Sequence, residues 1–413
     1  MSAINLAFKK AYRECRLFGK ITPLNILYAL SFNFFISRGK TNIMHKFLNW
    51  KNTDKNPLLK YYAAHLNFLF GEYSQTILIL KKLNRQYPKH ADMAYLLSET
   101  YRLEGKNELA RDILEETLEN SHRLKTWLLL ANLTTNNEDH QRLKSLWQLY
   151  KQKEKIPSYH YELWSYISTS AMRSQNYDEA AELWKDFIKK TINNEAIFPA
   201  NSCRKKFSSD KASKALIDLK KVFESAGIEF FLVSGTLLGC IREGKLLSHD
   251  KDIDVGVWSD VRTEKVIDHI KNSGLFYIQA SRSLLAVRIK HVNGTAVDIF
   301  LHFKEENNYW HGGSKLKWNN TPFSLVKHKF LNDEYLIPAE YDLYLTENYG
   351  DWRTEKSNFD SAFDTPNASV LSSPELIIHS YKQLANAIYL NESQKIHLHM
   401  SILKKLGEEK IHF

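Results

Sequence analysis

The sequence predicts an α+β protein in which a helical-repeat region precedes a mixed-sheet domain. Three observations carry this. From Leu58 to Lys190 one helical pattern follows another at a recurring step. From Phe231 to Trp258 (FLVSGTLLGCIREGKLLSHDKDIDVGVW) an apolar strand turns through small residues into a helix, and then into a second strand that alternates acids with apolar residues. Further on, Leu284–Lys290 and Thr295–Phe303 read as strands joined by a turn at Asn293-Gly294. At 413 residues the chain is long for one domain. The expected division is 1–57, a basic helical segment; 58–192, helical repeats; 193–209, a linker; and 210–413, a catalytic domain.

The N-terminal segment stands out by charge. The chain is 43% hydrophobic and 25% charged, which is ordinary for a globular protein. The net charge is +10, but the first sixty residues hold eleven Lys/Arg against only Glu14 and Asp54, which is +9 of that total. The remainder is nearly neutral, so a nucleic-acid partner is not expected, whereas a basic N-terminal patch is. Within it, Ile21–Ser37 is the most apolar stretch, seventeen residues between Lys20 and Arg38. Thr22-Pro23 reads as its helix start. It suits a core helix, a helix on a membrane surface with its basic flanks toward anionic lipid, or a short span. Met1–Lys20 is broken by charges and does not read as a signal peptide. Cys15, Cys203 and Cys240 are far apart and odd in number, which points to reduced thiols without a disulfide framework. The expected location is therefore cytoplasmic, with peripheral attachment at the inner face of the membrane as an option.

In the helical region, Tyr62-Ala63-Ala64 … Gly71-Glu72-Tyr73 is echoed by Tyr95-Leu96-Leu97 … Gly105-Lys106-Asn107, a step of 34 residues from Gly71 to Gly105. A later copy runs from Trp164-Ser165-Tyr166 to Trp184, and Trp127–Asn132 opens a degenerate unit. The period and pattern resemble tetratricopeptide repeats. Such pairs either form a scaffold on the catalytic domain or offer a groove to a protein partner or polymer. Thr191–Ser209 breaks the helical pattern with Asn, Pro and Ser.

The chemistry gathers around Phe231–Trp258. Asp250, Asp252 and Asp254 occupy every second position, which in a strand puts them on one face, with Ile253 and Val255 on the other. Three carboxylates on one face repel unless a cation sits among them, and an all-oxygen cluster suits Mg²⁺ or Mn²⁺. Asp298 lies in an apolar strand between Val297 and Ile299, where a charge needs a partner; a place beside Asp252 and Asp254 would give it one. Ser234-Gly235-Thr236 can hold phosphate through backbone N–H groups and a hydroxyl at a helix start. Arg242 offers a planar fork to phosphate, or is a surface charge. Arg288 and Lys290 alternate on their strand and either meet phosphates or line a solvated face. His249 assists proton transfer or is simply solvated. Trp310, His311 and Trp352 line a ligand pocket, or pack in the core.

A small-residue turn after a strand, an acidic-x-acidic strand and a lone acid on a later strand together resemble the nucleotidyltransferase fold of the DNA polymerase beta superfamily. A narrower resemblance is to the LicD/fukutin family. It rests on Gly235-Thr236-Leu237-Leu238-Gly239-Cys240-Ile241-Arg242, on Asp250-Lys251-Asp252-Ile253-Asp254, on Val297-Asp298-Ile299-Phe300, and on Tyr349-Gly350-Asp351-Trp352. The resemblance spans roughly Ile228 to Arg353. It implies a metal-dependent phosphotransferase that moves an alcohol phosphate from a CDP-activated donor to a sugar hydroxyl in cell-surface polysaccharide synthesis. The acceptor would be a glycan or lipid-linked glycan. Asp252 and Asp254 would hold the metal. Asp298 would complete the site or take the proton, and Asp250 would bind metal or orient the acceptor. His249 stands where the phosphocholine branch has Trp, which favours ribitol phosphate over glycerol phosphate or phosphocholine. Nothing in the chain matches the cysteine cluster of some fukutin-related members. Two other readings stay open: a nucleotidyltransferase placing NMP on a small molecule, protein or RNA, and a non-catalytic repeat protein.

Overall fold

The computed structural model describes residues 3–50, 53, 55–199, 208–356, 359–360 and 362–408; Cys203 and much of the expected linker lie outside them. The chain begins with helices Ala3–Leu17, Pro23–Ser37 and Thr41–Trp50, which pack in succession. Thr22 caps the second as expected: its hydroxyl accepts from the N–H of Asn25, and Pro23 fills the first helical position. The inward face of this helix carries Asn25, Ala29, Phe32 and Ile36, and Phe32 stacks on Tyr62 with ring centroids 3.9 Å apart.

Helical hairpins follow: Pro57–Leu69 with Tyr73–Gln86, Ala91–Leu103 with Asn107–Asn120, Leu124–Asn132 with Asn137–Gln152, and Tyr161–Arg173 with Tyr177–Ile192. The 34-residue step has a backbone cause. Gly71 and Gly105 both close a first helix at positive φ (75° and 71°), where a side chain would be strained. The third pair turns without a glycine, and Asn136 caps its second helix by accepting from the N–H of Asp139. This accounts for its degenerate sequence.

The chain folds into two compact units, Met1–Tyr87 with Lys205–Ser369, and Pro88–Arg204 with Val370–Phe413. The first unit unites the leading helices and the first hairpin with the sheet. His65 meets the Tyr277 hydroxyl at 2.6 Å, and Gly274 N–H donates to the Leu69 carbonyl at 2.9 Å. The second holds the other hairpins together with the closing helices Ser373–Tyr389 and Ser393–Lys405. Sequence order puts those closing helices in the catalytic domain, but the apolar face of Ser373–Tyr389 packs on Tyr177–Ile192. Tyr389 stacks on Phe198 at 4.0 Å, and Lys382 donates to Ser165.

The sheet is built from β1 (Phe231–Leu232), β2 (Asp252–Trp258), β3 (Phe276–Ile278), β4 (Ala286–His291), β5 (Ala296–Lys304), β6 (Tyr309–Gly312), β7 (Leu316–Asn320), β8 (Leu325–Phe330), β9 (Asp333–Pro338) and β10 (Ala368–Val370). Its order is β10-β7-β6-β5-β2-β1-β9-β8, with β4 pairing β5 and β3 pairing β4. β2 and β5 are parallel neighbours, whereas β4 and β6 run antiparallel to β5. Ile253, Val255, Val257, Val297 and Ile299 are fully buried in one cluster with Leu216, Leu219 and Phe223 of helix Ser209–Ala226 and Val266 and Ile270 of helix Thr263–Lys271. Alternation along β2 and β5 leaves the opposite face to Asp252, Asp254 and Asp298.

Gly256 on β2 is enforced by packing. A Cβ there would stand 2.6 Å from the Phe231 ring and 2.8 Å from the His302 ring. Gly256→Ala is expected to destabilise the protein by about 1–3 kcal/mol through overpacking. Denaturant unfolding would measure this, and an unchanged midpoint would contradict the packing described.

Candidate active site

Two strands bring the carboxylates together. In the parallel β2–β5 pair, Asp254 lies directly opposite Asp298 and Asp252 opposite Ala296. Neighbours in register share a face, so the acid from each strand projects to the same side as Asp252. Ligand oxygens of Asp252, Asp254 and Asp298 all lie within 4.8 Å of one another. Across the other edge of β5, Arg288 is paired in register with Asp298, and its Nη2 reaches Asp298 Oδ2 at 3.0 Å. Lys290 follows two residues on, opposite Ala296.

Asp250 arrives differently. β2 starts only at Asp252, so Asp250 lies in the preceding turn, where its N–H donates to the Leu247 carbonyl. The expected single-strand face therefore holds for Asp252 and Asp254 and not for Asp250. Asp250 instead packs its carboxylate on Gly235: a Cβ on that glycine would meet Asp250 Oδ2 at 2.5 Å.

The Ser234-Gly235-Thr236 segment is the first turn of helix Ser234–Glu243 rather than a loop before it. Ser234 holds the strand-to-helix turn at φ 50°, an uncommon conformation for a residue with a side chain. This turn grips Asp254 at two points. The Gly235 N–H donates to the Asp254 carboxylate. The Thr236 hydroxyl, fully buried, accepts from the Asp254 N–H at 2.9 Å. Thr236 thus fixes the strand to the helix.

At the far end of that helix Arg242 is largely buried. It donates to the Trp352 carbonyl at 3.3 Å and pairs with Glu243 at 3.2 Å. It ties the helix to the turn after helix Tyr341–Tyr349. His249 is exposed, 3.7 Å from the exposed Glu355. Trp310 stacks on Phe303 at 4.3 Å and donates to Glu305. His311 is buried between His302 and Trp318. Trp352 is buried and donates to Asp342. All three make packing contacts.

Burial raises every acid of the cluster above its ordinary value. Asp250 is pushed up to about 6 by desolvation, with the Asp252 charge adding to it. Asp252 and Asp298 are also raised by desolvation, against the opposing pull of the Arg288 guanidinium. Asp254 is raised most clearly, by desolvation and then by Asp252, Asp250 and Asp298. Two tyrosines complete the surroundings: Tyr349, which opens the Tyr349-Gly350-Asp351-Trp352 motif, and Tyr344, which the sequence does not single out. Burial and then the Asp254 charge raise both Tyr344 and Tyr349. Tyr344 is buried with its phenol oxygen lacking a hydrogen-bond partner. Only its spacing from Tyr349 on one aromatic helix signals Tyr344 in sequence. The Arg288 guanidinium acts on Asp252 and Asp298, and the all-oxygen donor set fits a hard divalent cation held by Asp252, Asp254 and Asp298.

Residues 227–340 match the family described as LicD/FKTN/FKRP, nucleotidyltransferase domain. The chain is similar to the ribitol-5-phosphate transferase FKTN of Homo sapiens, 26% identical over 168 residues that make up 38% of this chain and 36% of that protein. The same transferase of Mus musculus is 27% identical with the same coverage. An uncharacterized protein of Rickettsia typhi is 25% identical over 161 residues, 35% of this chain and 48% of that protein. The chain thus spans about a third to a half of the length of these relatives.

The raised carboxyl values set the direction of a pH effect. Between the unfolded value of about 3.9 and the raised folded values, the native state holds protons that the unfolded chain has released. Stability from these groups therefore falls as pH rises from the unfolded value through the raised folded ones, which for Asp250 is about 6. A divalent cation reverses this by neutralising the cluster. Mn²⁺ or Mg²⁺ is expected to raise Tm by about 3–8 °C at pH 8 and by much less at pH 5. Asp254→Asn should raise the cation-free Tm and remove most of the cation response. Equal shifts at both pH values, or a full response in the variant, would contradict this site.

Proposed function

We propose, from the match of residues 227–340 to the LicD/FKTN/FKRP nucleotidyltransferase domain, that the protein transfers an alcohol phosphate from a CDP-activated donor to a sugar hydroxyl. The observation that carries this reading is the Asp252, Asp254 and Asp298 cluster with Arg288 bound at its edge. The favoured donor is CDP-ribitol, because the named relatives are ribitol-5-phosphate transferases; CDP-glycerol and CDP-choline are the other candidates. The acceptor is a glycan or lipid-linked glycan of the cell surface.

A divalent cation bound by Asp252, Asp254 and Asp298 would stabilise charge on the donor diphosphate and acidify the acceptor hydroxyl. The protein's own groups do the rest. The turn at Ser234-Gly235-Thr236 holds Asp254 at main chain and side chain together, so the carboxylate is preorganised. Arg288 keeps Asp298 oriented and presents its remaining guanidinium donors to phosphate oxygens, with Lys290 beside it on the strand. Asp250, with a value near neutrality and a place against Gly235, takes the proton of the attacking hydroxyl. The acceptor oxygen bonds to the alcohol-bearing phosphorus, the bond from that phosphorus to the bridging oxygen breaks, and CMP leaves with the electron pair. Arg242 acts at a distance, holding the Ser234–Glu243 helix to the Trp352 turn. His249, exposed beside Glu355, has no step in this scheme.

Incubation with each CDP-alcohol, Mg²⁺ or Mn²⁺ and a glycan acceptor should release CMP. Asp252→Asn, Asp254→Asn and Asp298→Asn should each lower kcat by about 10²–10³-fold. The metal-loaded wild-type rate should rise with pH as Asp250 loses its proton, at a pH below its cation-free value of about 6, and Asp250→Asn should flatten that limb. No metal-dependent CMP release from any donor would refute the proposal. Label from an NTP α-phosphate appearing on an acceptor would point to nucleotidyl transfer instead.

A further inference from the structure

We propose that the outward face of helix Pro23–Ser37, together with the basic surface of the helices on either side, docks on an anionic lipid bilayer. The helix contains no charged residue. Its inward face is spent on Asn25, Ala29, Phe32 and Ile36. On the opposite side Leu24, Leu27 and Phe34 recur at helical spacing and are about half exposed. A helix apolar on both sides asks for an apolar neighbour on each, and water is a poor one. The exposed apolar surface continues through Leu6, Phe8 and Tyr12 before this helix and Ile43 and Trp50 after it, with Trp50 82% exposed.

The charge around this surface identifies its occupant. Lys10, Arg13, Arg16, Lys20, Arg38 and Lys46 are all exposed around it. Arg38 lies over the Phe34 ring at 3.6 Å, so cation and apolar group occupy one patch. Residues 1–50 contain a single acid, Glu14, and the fold turns it inward. The Tyr62 hydroxyl donates to Glu14 Oε2 at 2.6 Å and the Asn33 amide at 3.1 Å, which leaves its side chain 15% exposed. Glu14 also pairs with Lys10 at 3.9 Å, and among the described residues of these three helices the outer surface is otherwise apolar and positive. That combination matches a negatively charged lipid–water interface, where aromatic rings sit at headgroup depth and basic groups meet anionic headgroups. The geometry is that of a helix lying in the interface. Fifteen residues span about 22 Å, less than the hydrocarbon core of about 30 Å. Among the described residues, no helix is long and apolar enough to cross a membrane.

The test is flotation of the full chain with vesicles of phosphatidylcholine alone or with about 30% phosphatidylserine or phosphatidylglycerol. At least about tenfold stronger binding to the anionic vesicles, weakened by salt, is expected. Leu27→Glu/Phe34→Glu should abolish vesicle binding while Tm stays unchanged. Arg16→Glu/Lys20→Glu, on fully exposed positions, should lower binding to anionic vesicles alone. CMP release with a soluble acceptor should be unaffected in all variants. Vesicle binding needs no donor, so it stands or falls apart from the phosphotransferase reading. Absence of binding, equal binding to neutral vesicles, or binding undiminished in both double variants would overturn the proposal. So would self-association that Leu27→Glu/Phe34→Glu removes, since the face would then be an interface between copies of the chain.

Discussion

The parallel pairing of β2 with β5 is the constraint on which the site depends. It places Asp254 opposite Asp298, and the same register sets Ile253 opposite Val297 and Val255 opposite Ile299. The two faces pull in opposite directions. Each of those four apolar side chains is fully buried and contributes about 1.5–3 kcal/mol, so together on the order of 6–12 kcal/mol. Like charges about 4 Å apart in a protein-like medium cost about 4 kcal/mol per pair, and three carboxylates make three pairs. The terms are comparable, so the pairing is held comfortably only when part of the charge is removed. Arg288 removes one unit, and raised carboxyl values or a bound cation remove the rest.

This balance gives the Ser234-Gly235-Thr236 turn a role different from the one its composition suggests. Small residues after a strand read as room for a phosphate. In the fold that room is occupied by the protein's own acids: Asp250 rests on Gly235, and Asp254 is bonded to both Gly235 and Thr236. The left-handed backbone at Ser234 aims the helix start at Asp254. Backbone N–H groups at a helix start favour negative charge, and here a carboxylate receives it. The turn is thus a fixture for the carboxylate cluster, and only through it for a ligand.

Much of this was legible in the sequence because it rests on local periodicity. The alternation of Asp252 and Asp254 with Ile253 and Val255, the lone Asp298 between apolar neighbours, and the Asn293-Gly294 turn all encode near-neighbour geometry. What was not legible depends on contacts between distant segments. Asp250 looked like part of the strand, since spacing alone cannot show that pairing begins two residues later. The short strands β6 to β9 carry mixed polar and aromatic residues, such as Leu316–Asn320, without clean alternation. Trp352 and His311 leave a pocket role and a core role both open, because aromatic composition looks the same in a core and in a binding site. The closing helices follow the sheet in sequence, but they pack with Tyr177–Ile192, and nothing in their own pattern names that partner. Tyr344 and Tyr349 gain meaning only once helix Tyr341–Tyr349 is set against Ser234–Glu243.

The distribution of charge links the two functional surfaces of the first unit. On the proposed function, a CDP-alcohol would bring further negative charge to a site that already holds four carboxylates, with Arg288 paired to Asp298. Had the protein answered that charge with side chains, lysines and arginines would crowd the cluster. Instead its positive excess lies in the first sixty residues. The N-terminal excess is then free to answer a different anion. A surface both basic and apolar discriminates poorly among soluble phosphates and well in favour of an interface that presents charge and hydrocarbon together. Separating the two solves an electrostatic conflict, because a single positive patch serving both would let lipid headgroups compete with the donor.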